Sequence, residues 1–165
     1  IMPLIKLNAT QGLTGTLPAV SGANLTNIDA GKVLQVVGST FNTATDMVSS
    51  TYADISSSSL SITPSSSSNK ILVFYSLQFR LRSDSASTGN GFVRILRGTT
   101  EITETRNEML DSKRSPAPMV ISHLDSPSTT SAVTYKAQQK MTAGSQVVIN
   151  DGGVDSYITL MEISA

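Results

Sequence analysis

The sequence predicts an all-β protein, and three observations carry that reading. The first is Lys70 to Arg82, KILVFYSLQFRLR, where Ile71, Val73, Tyr75, Leu77, Phe79 and Leu81 recur at every second position. Lys70, Gln78, Arg80 and Arg82 hold the opposite phase, the pattern of a half-buried strand at the centre of a sheet. A helix would space its apolar residues three and four apart. Leu72 and Phe74, apolar in the outward phase, predict that the first half of this strand is covered on both faces. The second observation is that shorter strand patterns recur about every ten residues with no convincing helix between them. The third is composition. Serine and threonine supply about a quarter of the 165 residues, and charged residues only 15%. Hydroxyl side chains solvate a sheet without charge, and threonine itself favours strands.

In chain order, residues 1–31 have no period. Isolated apolar residues (Leu4, Leu7, Leu13, Leu17, Val20, Leu25 and Ile28) are strung between glycines 12, 15, 22 and 31. The segment has too few consecutive strand formers for a sheet, and its glycines oppose a helix. It is also too poor in charge and proline to read as disordered. An apolar residue every few positions on an extended chain suggests an arm that docks on a neighbour, in preference to a floppy leader. Residues 3–31 would span about 95 Å when extended.

Residues 32–165 then read as a head domain. KVLQVVGSTF opens it as a strand apolar on both faces: Val33, Gln35 and Val37 against Lys32, Leu34 and Val36. MVSSTYADISSSSLSITP supplies one or two strands with Tyr52, Ile55, Leu60 and Ile62 inward, and Ser56–Ser59 as a bulge or loop. Pro64 to Asn69 is a loop before the central strand. Residues 83–91 form the next loop, with Asn90-Gly91 its tight-turn dipeptide. FVRILR is a strand closed by Gly98, and residues 101–110 are strand or short helix, with ITET favouring strand. DSKRSPAP, 111–118, reads as an exposed loop. MVISHL and AVTYKAQQK are strands, the latter with Val133, Tyr135 and Ala137 inward. Ala143-Gly144-Ser145 turns into QVVIN, and Asp151-Gly152-Gly153 turns into a last strand, VDSYITLMEIS. About 7–10 such strands describe a β-sandwich, with a jelly-roll-like topology as first choice.

Composition narrows the functional classes. Twelve basic residues balance twelve acidic ones, so the chain lacks the broad positive field on which nucleic-acid binding relies. The longest apolar run, Ile71 to Tyr75, falls far below the roughly 18 residues of a spanning helix, which predicts no membrane insertion. No charged-then-apolar layout of a signal peptide stands at the start. Without cysteine there are neither disulfides nor thiolate metal sites. Folding a chain of this size buries roughly 70% of its unfolded surface, enough for a core without staples.

Four segments together carry a resemblance: GTLPAVSGANLTNI, GKVLQVV, SITPSSSSNKILV and the terminal SYITLMEIS. Their combination resembles small tail-fibre-like or decoration virion proteins of tailed bacteriophages, including phages of marine and cyanobacterial hosts. The leader looks like their linker and arm segments, with its leucine-proline step and then Ser-Gly-Ala-Asn-Leu. The serine-rich loop before Lys-Ile-Leu-Val looks like entry to the central strand of their jelly-roll head. The resemblance implies a homotrimer located in the virion, with a head similar to the tumour-necrosis-factor and complement globular-head sandwich. It carries over no catalytic motif.

The candidate chemistry is sparse. His123 is the single histidine, and without cysteine or a paired carboxylate it reads as structural. No G-x-S-x-G elbow presents a serine to it. Glu101, Glu104 and Glu108 could form an acid pair for glycoside cleavage, but their spacing is weak support. Asp151 to Asp155 has the glycines and carboxylates of a calcium-type turn without the full loop signature, and a hairpin turn is the simpler reading. Asn8-Ala9-Thr10 and Asn24-Leu25-Thr26 fit the glycosylation sequon, a match expected by chance in a threonine-rich chain. Arg80, Arg82, Arg94 and Arg97 form a candidate interaction face. If their strands pair through Asn90-Gly91, the row could bind an acidic glycan by bidentate contacts. The competing reading has it pair with acidic side chains such as Glu101 and Glu104.

The expectation is therefore a virion structural protein with neither enzymatic activity nor cofactor. It would be a trimeric capsid decoration or short fibre or tail appendage, joined to another virion protein by its arm. The alternative is a receptor-binding tip that recognises a host-surface glycan.

Overall fold

The computed structural model describes residues 32–82, 89–109, 114–116, 118–143 and 146–165. The proposed arm anchors Leu4, Leu7, Leu13, Leu17, Val20 and Leu25 lie outside the described residues. Among those described, thirteen strands run in chain order: β1 Val33–Phe41, β2 Thr45–Met47, β3 Ala53–Asp54, β4 Leu60–Ile62, β5 Lys70–Leu77, β6 Phe79–Arg82 and β7 Gly89–Arg97. They continue with β8 Thr100–Met109, β9 Arg114–Pro116, β10 Met119–Asp125, β11 Val133–Ala143, β12 Gln146–Ile149 and β13 Ser156–Ile163. The number exceeds the expected 7–10 because short polar stretches such as β2, β3 and β9 also pair.

The fold is all-β, and every pairing is antiparallel. Three sheets form. The first has the order β1-β13-β5-β10; the second has β3-β11-β7-β8, with β4 also on β11; the third has β2-β12-β6-β9. One apolar cluster joins their inner faces, with Val73 and Tyr75 from the first, Val93, Ile95 and Tyr135 from the second, and Phe79, Leu81 and Val147 from the third. The inward set read from the sequence, Ile71 to Leu81 by twos, is at most 1% exposed throughout.

That long strand is not one element. It breaks at Gln78, whose N–H donates to Ser156 Oγ at 2.9 Å and whose carbonyl accepts from Asn150 N–H at 3.0 Å. Asn150 sits in the left-handed region at φ 60° and donates its side-chain amide to the Phe41 carbonyl. These bonds take Gln78 out of both ladders, so β5 stays in the first sheet while β6 enters the third. The alternation runs through the break unchanged, and the core face is continuous.

Three sequence expectations are corrected. Asn90-Gly91 is not a turn but lies inside β7, paired with β8 and β11. The glycine is there because a Cβ would fall 2.5 Å from Phe79 Cζ and 2.7 Å from Val147 Cγ2; it marks a close approach across the core. Within 111–118, Arg114–Pro116 is not loop but pairs with β6 at a sheet edge, where proline is tolerated. Tyr52 does not face inward: it lies on the outer surface under Arg94 and Lys140. The serine run at 56–59 is a loop bound to the sheet. Buried Ser58 Oγ donates to the Ile55 carbonyl and accepts from Ala137 N–H, and the Ser58 carbonyl accepts from Tyr75 Oη.

Candidate functional site

The outer face of the first sheet is built by period-2 alternation on four strands. Register across β10-β5-β13-β1 gives three rows of outward side chains: Val120, Ser76, Tyr157, Thr40; then Ser122, Phe74, Thr159, Gly38; then Leu124, Leu72, Met161, Val36. Ile163 and Val33, paired beyond a bulge, extend the apolar end beside Leu34. None of the side chains in the three rows is charged; Lys70, exposed and paired with Ile163, stands in the row beyond them. Nine large apolar side chains are exposed among the described residues, and seven belong to this face: Val33, Leu34, Val36, Phe74, Val120, Leu124 and Tyr157. Isolated exposed apolar residues are ordinary, but a contiguous patch marks an interaction surface. The sequence expectation that Leu72 and Phe74 are covered is corrected in part: Leu72 is half-buried and Phe74 is 36% exposed. Their own chain leaves them open. Over Gly38 the face dips into a hollow of about 480 Å³, lined by Gly38, Ser39, Thr40, Tyr157, Ile158 and Thr159.

The position of β1 at the edge of this face is fixed by Glu162, which the sequence reading missed. Its carboxylate is 1% exposed and accepts from Gln35 Nε2 at 2.6 Å, Ser65 N and Oγ at 2.7 Å each, and Asn69 Nδ2 at 2.6 Å. Burial alone would raise its pKa. The hydrogen bonds from Asn69, Ser65 and Gln35 outweigh that and hold it at about 2. One carboxylate thus ties β1, the serine-rich loop and β13 together. The signal available in the sequence was its phase: Glu162 falls in the inward set Ser156, Ile158, Leu160.

The second sheet's outer face has the opposite character. Arg94 donates to Gln138 and Glu101, both at 2.9 Å, and stacks 3.9 Å over the Tyr52 ring. Lys140 lies 4.3 Å from that ring, and Tyr52 Oη donates to Glu104. Burial and then the Glu104 bond push the Tyr52 hydroxyl pKa upward. Lys136 and Gln138 both reach Asp54, and the Gln138 bond, followed by Lys136, lowers that carboxyl's pKa. Charges here are mutually paired, the state of a solvated face.

The four arginines do not form one face. Arg80 and Arg82 project from β6 in the third sheet and Arg94 from β7 in the second, because β6 pairs with β12 and β9 while β7 pairs with β11 and β8. Arg94 pairs with Glu101, as the competing reading of the row expects. Arg97 forms both Nη1 contacts to buried Asp125 at 2.8 Å, and Tyr135 Oη donates to the same carboxylate at 2.7 Å. This links β7 and β11 to β10 and is structural. Arg80 pairs with Asp151, which ties down the Asp151–Gly153 turn. Asp46, Arg80, Arg82, Gln146 and Asp151 surround a cavity of about 110 Å³ floored by Val148.

The candidate acid group is spread along β8, where Glu101 pairs with Arg94, Glu104 contacts Tyr52 and Lys140, and Glu108 pairs with Arg106. His123 is half-buried on β10 opposite Val73. No group of three potential metal-ligating side chains occurs among the described residues. No family model matches the chain, and no curated protein matches it.

Proposed function

We propose that this chain is a non-enzymatic structural protein of a bacteriophage particle, a jelly-roll-like head that assembles as a homotrimer through the outer face of β1-β13-β5-β10. The observation that carries the reading is the concentration of exposed apolar side chains on one sheet face whose three central rows hold no charge, while the second sheet's outer face has its charges already paired. Rows without charge meet a copy of themselves without like-charge repulsion and gain by removing apolar surface from water. Strand order supports the jelly roll. After β1 in the first sheet the chain visits β2 in the third, β3 and β4 in the second, β5 in the first, β6 in the third, β7 and β8 in the second, β9 in the third, β10 in the first, β11 in the second, β12 in the third and β13 in the first, crossing repeatedly between sheets.

The virion assignment rests on the resemblance of four segments. Three of them meet at one point, since Gln35, Ser65 with Asn69, and Glu162 come from GKVLQVV, SITPSSSSNKILV and SYITLMEIS respectively. Their co-occurrence has a physical reason, because each needs the others to satisfy a buried carboxylate. In this reading residues 1–31 dock the head on another virion protein, as capsid decoration or tail appendage. The test is labelling of purified particles with antibody to the head, alongside particles made with residues 1–31 deleted. Discrete labelled positions, lost on deletion while the head remains folded, are expected. Absence of the chain from purified particles overturns the reading.

A second reading, recognition of a host-surface glycan, draws on the cavity over Val148. Guanidinium donors, carboxylate acceptors and an apolar floor are the elements of a sugar site. Glycan-array binding that is lost in Arg80→Ala would favour it.

A further inference from the structure

Gly38 stands in an outward position of β1, in register with Thr159. Glycine in a strand interior weakens the strand and calls for a reason, often the close approach of another group. For the other described glycines the reason lies within the chain. Gly91 faces Phe79 and Val147 too closely for a Cβ, at Gly89 a Cβ would press on Leu81 at 3.1 Å, and Gly98, Gly152 and Gly153 have positive φ. Gly38 has neither. Its φ is outside the left-handed region, and a Cβ would sit 3.5 Å from the Ile158 carbonyl oxygen and 3.8 Å from Thr159 Oγ1, ordinary contact distances. Gly38 lies in the open hollow of about 480 Å³ on the apolar face, which it lines with Ser39, Thr40, Tyr157, Ile158 and Thr159.

We propose that a second copy of this chain fills that hollow, with Val120 on β10 of one copy seated over Gly38 of the next. The inference rests on the self-association reading above and specifies its geometry. Val120, 61% exposed, is the most exposed large apolar side chain of the face. It stands on β10, at the sheet edge opposite β1. The hollow lies at one edge of the face and the knob at the other. In the trimer proposed above, contacts from the knob of one copy to the hollow of the next are heterologous and close into a ring. No acidic or basic side chain stands in the rows that come together.

The chain has no cysteine, so pairs of introduced thiols report this contact cleanly. Within one copy, β1 and β10 are three strand spacings apart, about 14 Å, beyond the roughly 7 Å that a disulfide spans. Any bond between positions 38 and 120 is therefore intermolecular. Gly38→Cys and Val120→Cys chains, co-expressed and oxidised, should cross-link to each other but not when expressed singly. The double variant should give a covalently closed ring. Cross-linking of either single variant alone, a double variant that closes as a doubly bonded dimer, or an intact oligomer with no cross-link, overturns the head-to-tail contact and leaves self-association standing. Monomers for the wild type and all variants in sedimentation overturn both. Gly38→Leu adds an independent reading: a filled hollow should raise the concentration for half-assembly by about tenfold or more, and an unchanged value overturns the proposal.

Discussion

Phe79 and Gly91 provide a sharp test of how β6 of the third sheet meets β7 of the second. Phe79 is 1% exposed, and its ring occupies the space a side chain at Gly91 would need. Phe79→Ala removes a buried aromatic and, with no side chain at 91 to relax into the void, should cost about 4 kcal/mol. Gly91→Ala forces a Cβ to within 2.5 Å of Phe79 Cζ and 2.7 Å of Val147 Cγ2, an overpacking cost of about 2–3 kcal/mol. If the sites were independent, the double variant would lose about 6–7 kcal/mol. Removing the ring also removes the closer clash, and the added methyl fills part of the void, so the double variant should lose only about 4–5 kcal/mol. Relief is partial because Val147 still faces position 91. Denaturant midpoints of the four proteins, measured at equal concentration because assembly couples to stability, give the cycle. Additivity within about 0.5 kcal/mol would mean that the two residues do not touch, and the packing of the third sheet on the second would be wrong.

Glu162 predicts an acid limb to stability. Its pKa is about 2 in the folded chain against an ordinary value of 4.5, so the unfolded chain binds the extra proton. The stabilisation is complete above pH 4.5 and is lost as pH falls through 2; unfolding followed against pH should show that slope, and Glu162→Gln should flatten it. Glu162→Ala, which strands the Gln35, Ser65 and Asn69 donors, should cost about 3 kcal/mol at neutral pH by denaturant titration. Arg97→Ala leaves the Asp125 carboxylate with Tyr135 as its remaining side-chain partner, and because Arg97 is itself partly exposed the loss should be about 2–3 kcal/mol. Lys136→Ala, at an exposed pair with Asp54, should change stability by less than about 1 kcal/mol.

The core was legible in the sequence wherever a strand had one buried and one open face. The inward phases of residues 71–81 and of Tyr135 and Ala137 hold in the structure, because period-2 burial is written locally. What the sequence hid depends on partners far along the chain. The break at Gln78 is made by Ser156 and Asn150, so the alternation running past it shows no trace. Asn-Gly is a strong turn signal, yet Gly91 answers to Phe79 across the core. The arginines read as one row because strands adjacent in sequence were expected to pair, whereas β6 and β7 belong to different sheets. Leu72 and Phe74 are apolar in the outward phase and residues 32–37 are apolar on both faces, and the structure assembles Leu72, Phe74, Leu34 and Val36 on a single open face. Gly38, outward in the same alternation as Leu34 and Val36, was a visible irregularity that only the space around it makes informative.

Assembly through that open face is tested most directly by the mass of the purified chain. Sedimentation velocity at micromolar concentration should give three times the 17.4 kDa chain mass for the wild type. Phe74→Glu, which sets a charge at the middle of the face without touching the core, should give a folded 17.4 kDa monomer. A wild type that remains monomeric across that range, or a Phe74→Glu variant that keeps the oligomer's mass, would contradict it.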